Sequence, residues 1–119
     1  MKHKTIIIAE AGVNHNGSLE IAKKLIKVAS EAKADYVKFQ TFKAINTITK
    51  SAEKANYQKN TTDQKENQFD MVKKLELSKE MHIELINYSK KKNIKFLSTP
   101  FDHDSIELLR DLGLETFKI

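Results

Sequence analysis

Glu10, Lys38, Gln40, Thr99 and Lys118 each stand at or near the C-terminal end of a short run of β-branched or aromatic residues. In an extended strand, residues two apart point to the same face. Lys38 and Gln40 therefore share one face and Val37 and Phe39 the other. If the apolar pair meets covering helices, the lysine and glutamine face the opposite side. Burying an ammonium there without a partner is costly, and an anion brought by a substrate resolves that cost. Thr116 and Lys118 repeat the pattern against Phe117 and Ile119, and Ser98–Thr99 closes a third run. Two lysines with hydroxyl donors suit a substrate bearing carboxylate and phosphate groups. Glu10 and Gln40 suit sugar hydroxyls or a positioned water. Any one of these residues alone is explained by an ordinary ion pair or hydrogen bond. The set, delivered at one end of successive strands, points to a mouth that binds a polyanion or a sugar. Two chemistries remain open. One lysine forms a Schiff base, as in class I aldolases, or both stay protonated and hold an anionic substrate while another group activates a carbonyl.

The remaining polar residues narrow the choice little. Asn14–His15–Asn16–Gly17 precedes a helix start, where anions bind readily, but Asn16–Gly17 is equally a simple turn. His15 and His103 have no partner at metal-ligand spacing, which favours surface or loop roles, and His3 and His82 carry no signal. There are no cysteines, so neither a disulfide framework nor thiolate chemistry is on offer.

The elements that must position these groups alternate. Thr5–Glu10 reads as a buried strand. Ser18 caps a helix whose stripe is Ala22, Leu25, Ile26 and Ala29, with Glu20 in its first turn. Tyr36–Gln40 is a second strand. Ser78 caps a helix with the stripe Met81, Leu85 and Tyr88, three lysines in its last turn and Asn93 as a left-handed stop. Ile94–Thr99 is a third strand, stopped by Pro100. Asp102 or Asp104 opens a helix through Ile106, Leu109 and Leu112 that Gly113 ends, and Glu115–Ile119 begins a fourth strand. This order argues for an α/β fold with a parallel sheet and helical crossovers, without separating a closed barrel from an open doubly wound sheet. The connection from Thr41 to Leu77 is unusually long, is polar at Asn60–Gln64, and ends in Phe69, Val72 and Leu75, which suggest a short helix. It reads as a substrate wall or, equally, as a structural or dimer-forming excursion.

With 119 residues, 39% hydrophobic and 31% charged, the chain is long enough for one globular domain. A whole α/β barrel takes about 250 residues. The last residues are an apolar strand with nothing to cover it, so the expectation is a truncated piece of a larger domain. The net charge of +5 comes from lysines spread over helix surfaces, and no nucleic-acid-binding module is present. No run has the length of a signal-peptide core or a membrane span. A cytoplasmic enzyme with no membrane or nucleic-acid partner is expected.

The stretches IIIAEAGVNHNGSLEIAKKLI, ADYVKFQTFKA, KKLELS and FLSTPFDHDSIELL together resemble the N-terminal half of the sialic acid (N-acetylneuraminate) synthase family, from Ile6 to Ile119. The combination of AE-x-G-x-NHNG, VKFQTFKA and LSTPFD in this order is specific. The resemblance implies the first half of a (β/α)₈ barrel, from its first strand to its fourth. Residues 1–119 would form the N-terminal part of the barrel domain, without the later strands or the C-terminal antifreeze-like domain. It implies condensation of phosphoenolpyruvate with N-acetylmannosamine or a 2,4-diacetamido sugar, giving a nine-carbon nonulosonate and phosphate. Mn²⁺ or Mg²⁺ would polarise the sugar aldehyde, with ligands on later strands outside this chain. That favours protonated lysines over a Schiff base. By position, Lys38, Lys118 and Thr99 resemble contacts to phosphoenolpyruvate, Gln40 a sugar contact, and Glu10 an active-site carboxylate. The complete enzyme would be a homodimer. The chain alone is expected to be inactive, and a self-associating, non-catalytic half-barrel is the rival outcome. Sialic, legionaminic and pseudaminic acid synthases share these motifs, so the acceptor sugar is not set by them.

Overall fold

The computed structural model describes residues 3–47 and 68–119. Its elements are β1 (Ile8–Gly12), α1 (Leu19–Glu31), β2 (Tyr36–Thr41), α2 (Ala44–Thr47), α3 (Gln68–Lys73), α4 (Lys79–Lys91), β3 (Lys95–Pro100) and α5 (His103–Asp111). The polar middle of the long connection, including Asn60–Gln64, lies outside the described residues.

Each long helix starts on a side chain able to satisfy an orphan N–H. Ser18 Oγ accepts from Ile21 N at 3.2 Å, Ser78 Oγ from Met81 N at 3.1 Å, and Asp102 Oδ1 from Ser105 N at 2.8 Å. Glu20, Glu80 and Asp104 place negative charge in the first turns, and Lys90, Lys91 and Arg110 place positive charge in last turns, with the helix dipole in every case. Asn93, at φ 57, takes the chain out of α4 in the left-handed conformation.

The strands pair in sequence order, β1-β2-β3, and both pairings are parallel. Tyr36, Val37, Lys38, Phe39, Gln40 and Thr41 stand beside Lys95, Phe96, Leu97, Ser98, Thr99 and Pro100 respectively. Val37, Phe39 and Phe96 point to the helices and pack with Ala22, Ile26 and Ala29 of α1 and Leu85 and Ile86 of α4. Phe39 and Phe96 stack with ring centroids 5.4 Å apart. Burying a side chain such as Phe39 contributes about 1.5–3 kcal/mol, so this layer fixes which face of β2 looks inward. Lys38 and Gln40 are left on the face away from the helices.

Four sequence expectations need correction. The first strand is shifted towards its C-terminus, and Ile6, Ile7 and Ile8 are exposed rather than buried, because β1 pairs only with β2 among the described residues. Residues 115–119 do not form a strand: a single backbone bond, Lys118 N to Ser98 O at 3.1 Å, sets them beside β3 without a ladder. The fully buried face of α4 is His82, Leu85, Ile86 and Ser89, rotated from the expected stripe, with Met81 and Tyr88 at its margin. In α5, Ser105 and Leu109 are buried whereas Ile106 is exposed, since the helix meets the sheet only along β3.

Candidate active site

The face of the sheet away from the helices gathers the polar residues by register. Glu10 stands beside Lys38, and Gln40 beside Thr99. Lys38 Nζ lies 2.7 Å from Glu10 Oε2 and donates to Thr99 Oγ1 at 3.3 Å. One ammonium therefore joins the ends of all three strands. Its side chain is 15% exposed and that of Glu10 53%, so the carboxylate keeps much of its water while the lysine does not.

Gly12 makes this convergence possible. The register of β1 slips between Glu10 and Gly12, a bulge of the sort that re-aims side chains at strand ends. Gly12 has φ +55, and a Cβ there would lie 3.1 Å from Glu10 Oε1 and 3.8 Å from Gln40 Nε2. A side chain at this position would press on the Glu10 carboxylate while meeting the Gln40 amide at ordinary contact distance.

Lys118 is not brought to the others. Its backbone lies beside Ser98, but Nζ donates to the Ile119 carbonyl and the side chain is exposed. Four of the five candidate residues thus meet, and the fifth shares only the neighbourhood of β3.

Behind the site, on the helix side, runs a buried polar chain that sequence reading missed. Thr41 Oγ1 lies 2.9 Å from His82 Nε2 and 2.6 Å from Ser98 Oγ, and His82 Nδ1 lies 2.8 Å from the Ser78 carbonyl oxygen. A carbonyl only accepts, so Nδ1 carries a proton; in the neutral ring Nε2 then accepts from Thr41, and Thr41 from Ser98. Burial holds the His82 pKa below its usual value, assisted by Lys43 and opposed by the bond to Ser78. That favours the neutral ring, the state in which Nε2 accepts from Thr41. Thr41 follows Gln40 and Ser98 precedes Thr99, so the chain ties together the strand ends that carry both residues. The spacing of His82, Leu85, Ile86 and Ser89 along one helical face was the available signal.

His15 lies in the loop between β1 and α1, one of the two roles the sequence allows, but it is fully buried rather than at the surface, with its ring 6.1 Å from that of Phe39. Nδ1 accepts from Gly17 N at 2.8 Å, while Nε2 has no hydrogen-bond partner among the described residues. Burial, then the nearby His82, lowers its pKa. The Asn14–Gly17 loop is a self-bonded turn: its Gly17 N–H is spent on His15, and a Cβ at Gly17 would fall 2.1 Å from the Lys74 carbonyl oxygen. The structure supports the turn over an anion cradle. His103 is exposed, as expected.

No group of three histidine, aspartate or glutamate residues among the described residues is arranged to hold a metal ion. Glu10, the one carboxylate of the cluster, is occupied by an ammonium. The residues present do not fit a metal centre by themselves. No helix of the described residues is long and apolar enough to cross a membrane.

Comparison with known proteins places these features in a family context. The model for the NeuB family matches residues 25–119. The N,N'-diacetyllegionaminic acid synthase of Campylobacter jejuni is 60% identical over 116 residues, which are 98% of this chain and 35% of that protein. The enzyme of the same name from Legionella pneumophila is 51% identical over 113 residues, 95% of this chain and 32% of that one. Among solved structures, the N-acetylneuraminic acid (sialic acid) synthetase of Leptospira borgpetersenii, in complex with citrate, matches with a TM-score of 0.79 and 34% identity. That match covers 98% of this chain and 36% of the Leptospira chain. This chain therefore spans about a third of the length of the relatives it matches.

Proposed function

The chain belongs to the NeuB family, and from that premise we propose that residues 1–119 are the N-terminal portion of the barrel of a nonulosonic acid synthase, a transferase that condenses phosphoenolpyruvate with an N-acetylated amino sugar. The observation that carries the reading is the junction of Glu10, Lys38 and Thr99, with Gln40 beside them, on the face of the sheet free of helices. In this reading the Lys38 ammonium and Thr99 hydroxyl hold the carboxylate or phosphate of phosphoenolpyruvate. Gln40 binds the sugar, and Glu10 orients a water or substrate hydroxyl. Lys118 joins them as a second cation once its segment pairs beside β3. The enol carbon attacks the sugar aldehyde, water adds to the resulting oxocarbenium carbon, and the carbon–oxygen bond to phosphate breaks.

The similarity to two N,N'-diacetyllegionaminic acid synthases supports a 2,4-diacetamido sugar as acceptor over N-acetylmannosamine. Mn²⁺ or Mg²⁺ belongs to the proposal only with ligands outside this chain, and no step assigned here runs through it. A cytoplasmic homodimer completes the reading, and the isolated 119 residues should turn over no phosphoenolpyruvate.

The test is phosphate release by the full-length protein given phosphoenolpyruvate, each candidate acceptor and Mn²⁺. Release that depends on the diacetamido sugar supports the reading. Borohydride trapping of pyruvate on Lys38, without phosphate release, would replace it with a Schiff-base aldolase.

A further inference from the structure

An apolar hollow opens at the same strand ends, and the polar cluster does not explain it. Gln40 borders both: its amide lies near Gly12 and, on another side, lines a cavity of about 180 Å³ shared with Val13, Phe42, Val72, Leu75 and Phe101. Phe42 and Phe101 meet edge to face, with ring centroids 6.5 Å apart. These residues come from the loop after β1, the ends of β2 and β3, and the region of α3. The hollow therefore adjoins the candidate site directly. A sugar hydroxyl placed there would give up water for an apolar wall, and a phosphate or carboxylate would fare worse. A methyl group loses nothing and gains burial. Gln40 is the matching polar handle, since its side chain offers an amide C=O and an NH₂, the complement of a secondary amide's N–H and C=O.

We propose that this hollow is the subsite for one acetamido group of the acceptor, with Gln40 pairing its amide and Val13, Leu75 and Phe101 seating its methyl. The inference rests on the synthase reading and extends it by assigning the group that sets acceptor choice.

The experiment measures kcat/KM of the full-length enzyme for matched N-formyl, N-acetyl, N-propanoyl and hydroxyl acceptors, in wild type, Leu75→Ala and Val72→Phe. In wild type, deleting the methyl should cost about fourfold, and replacing the amide by hydroxyl at least about tenfold. Leu75→Ala should shift preference towards N-propanoyl. Val72→Phe should raise KM for the N-acetyl sugar and leave KM for phosphoenolpyruvate alone. Acyl preference identical in wild type and both variants would overturn the subsite while leaving the synthase reading intact. If both variants misfold, equal wild-type rates with acetamido and hydroxyl acceptors would overturn it as well. No turnover with any acetamido sugar would remove the synthase reading itself.

Discussion

Replacing Lys38 by methionine removes a charge while keeping an unbranched stem of similar reach. The structure sets two separate magnitudes for this change. For folding, the partner carboxylate is 53% exposed, so the ion pair lies near the solvent-screened limit and its loss costs at most about 1 kcal/mol. For the proposed contact to phosphoenolpyruvate, the expected loss is that of a charge-assisted hydrogen bond, about 1.5–3 kcal/mol. That corresponds to a rise in KM of about 10- to 150-fold, since each 1.4 kcal/mol is about a factor of ten. The assay is initial-rate phosphate release by the full-length protein, varying each substrate with the other saturating. KM for phosphoenolpyruvate should rise and KM for the sugar should stay as in wild type. Lys38→Arg should recover part of the loss, because the charge returns on a fork of different shape. A folded Lys38→Met protein with wild-type KM for phosphoenolpyruvate, or with its defect in the sugar instead, would refute the assignment.

Gly12→Ala should cost about 1–2 kcal/mol in urea unfolding, from the left-handed backbone, and should also lower kcat by displacing Glu10, 3.1 Å from the new methyl. Wild-type stability and kcat together would show that the bulge does not hold the carboxylate. Asp102 caps α5 with one carboxylate oxygen and accepts from Lys43 N at 2.8 Å with the other, so Asp102→Ala should lose about 1–3 kcal/mol, and Asp102→Asn should regain only part of it because its amide keeps a single acceptor oxygen; equal loss in both variants would rule out capping. Burial lowers the pKa of both His15 and His82 from 6.5, so the unfolded chain takes up protons there before the folded one does. Their contribution to stability is complete above that pH and falls as the pH drops towards the folded-state values, by up to about 1.4 kcal/mol per pH unit for each ring. Urea midpoints should drop between about pH 7.5 and 5.5 and drop less in His82→Gln; a midpoint that is flat or rising on acidification contradicts the sign.

The sequence shows local structure well and tertiary consequences poorly. Ser18, Ser78 and Asp102 are legible as caps because the capping bond spans only three residues. Val37 and Phe39 reveal their face because alternation is a property of the strand itself. The positions of Lys38, Gln40 and Thr99 on the opposite face follow from that alternation and the parallel register. The helical spacing of His82 with Leu85, Ile86 and Ser89 marks a buried face, but its bonding to Thr41 and of Thr41 to Ser98 is not legible, since these pairs stand 41 and 57 residues apart. His15 is legible as a loop residue, but its burial is not, because it depends on contact with Phe39 on the neighbouring strand. The bulge at Gly12 depends on the pairing of β1 with β2, which no local pattern encodes. The fourth strand was overread from the alternation of Thr116 and Lys118 with Phe117 and Ile119, because alternation marks a candidate strand and only a neighbour's ladder makes one.

The central claim is that Lys38 and its neighbours serve a condensation in which phosphoenolpyruvate loses phosphate by carbon–oxygen cleavage. Phosphoenolpyruvate labelled with ¹⁸O in the bridging position, incubated with the full-length protein, the diacetamido sugar and Mn²⁺, reports this directly by ³¹P NMR. The label is expected in the released phosphate, with a nonulosonate formed alongside. Label retained in the organic product, or no phosphate released at all, would contradict the account.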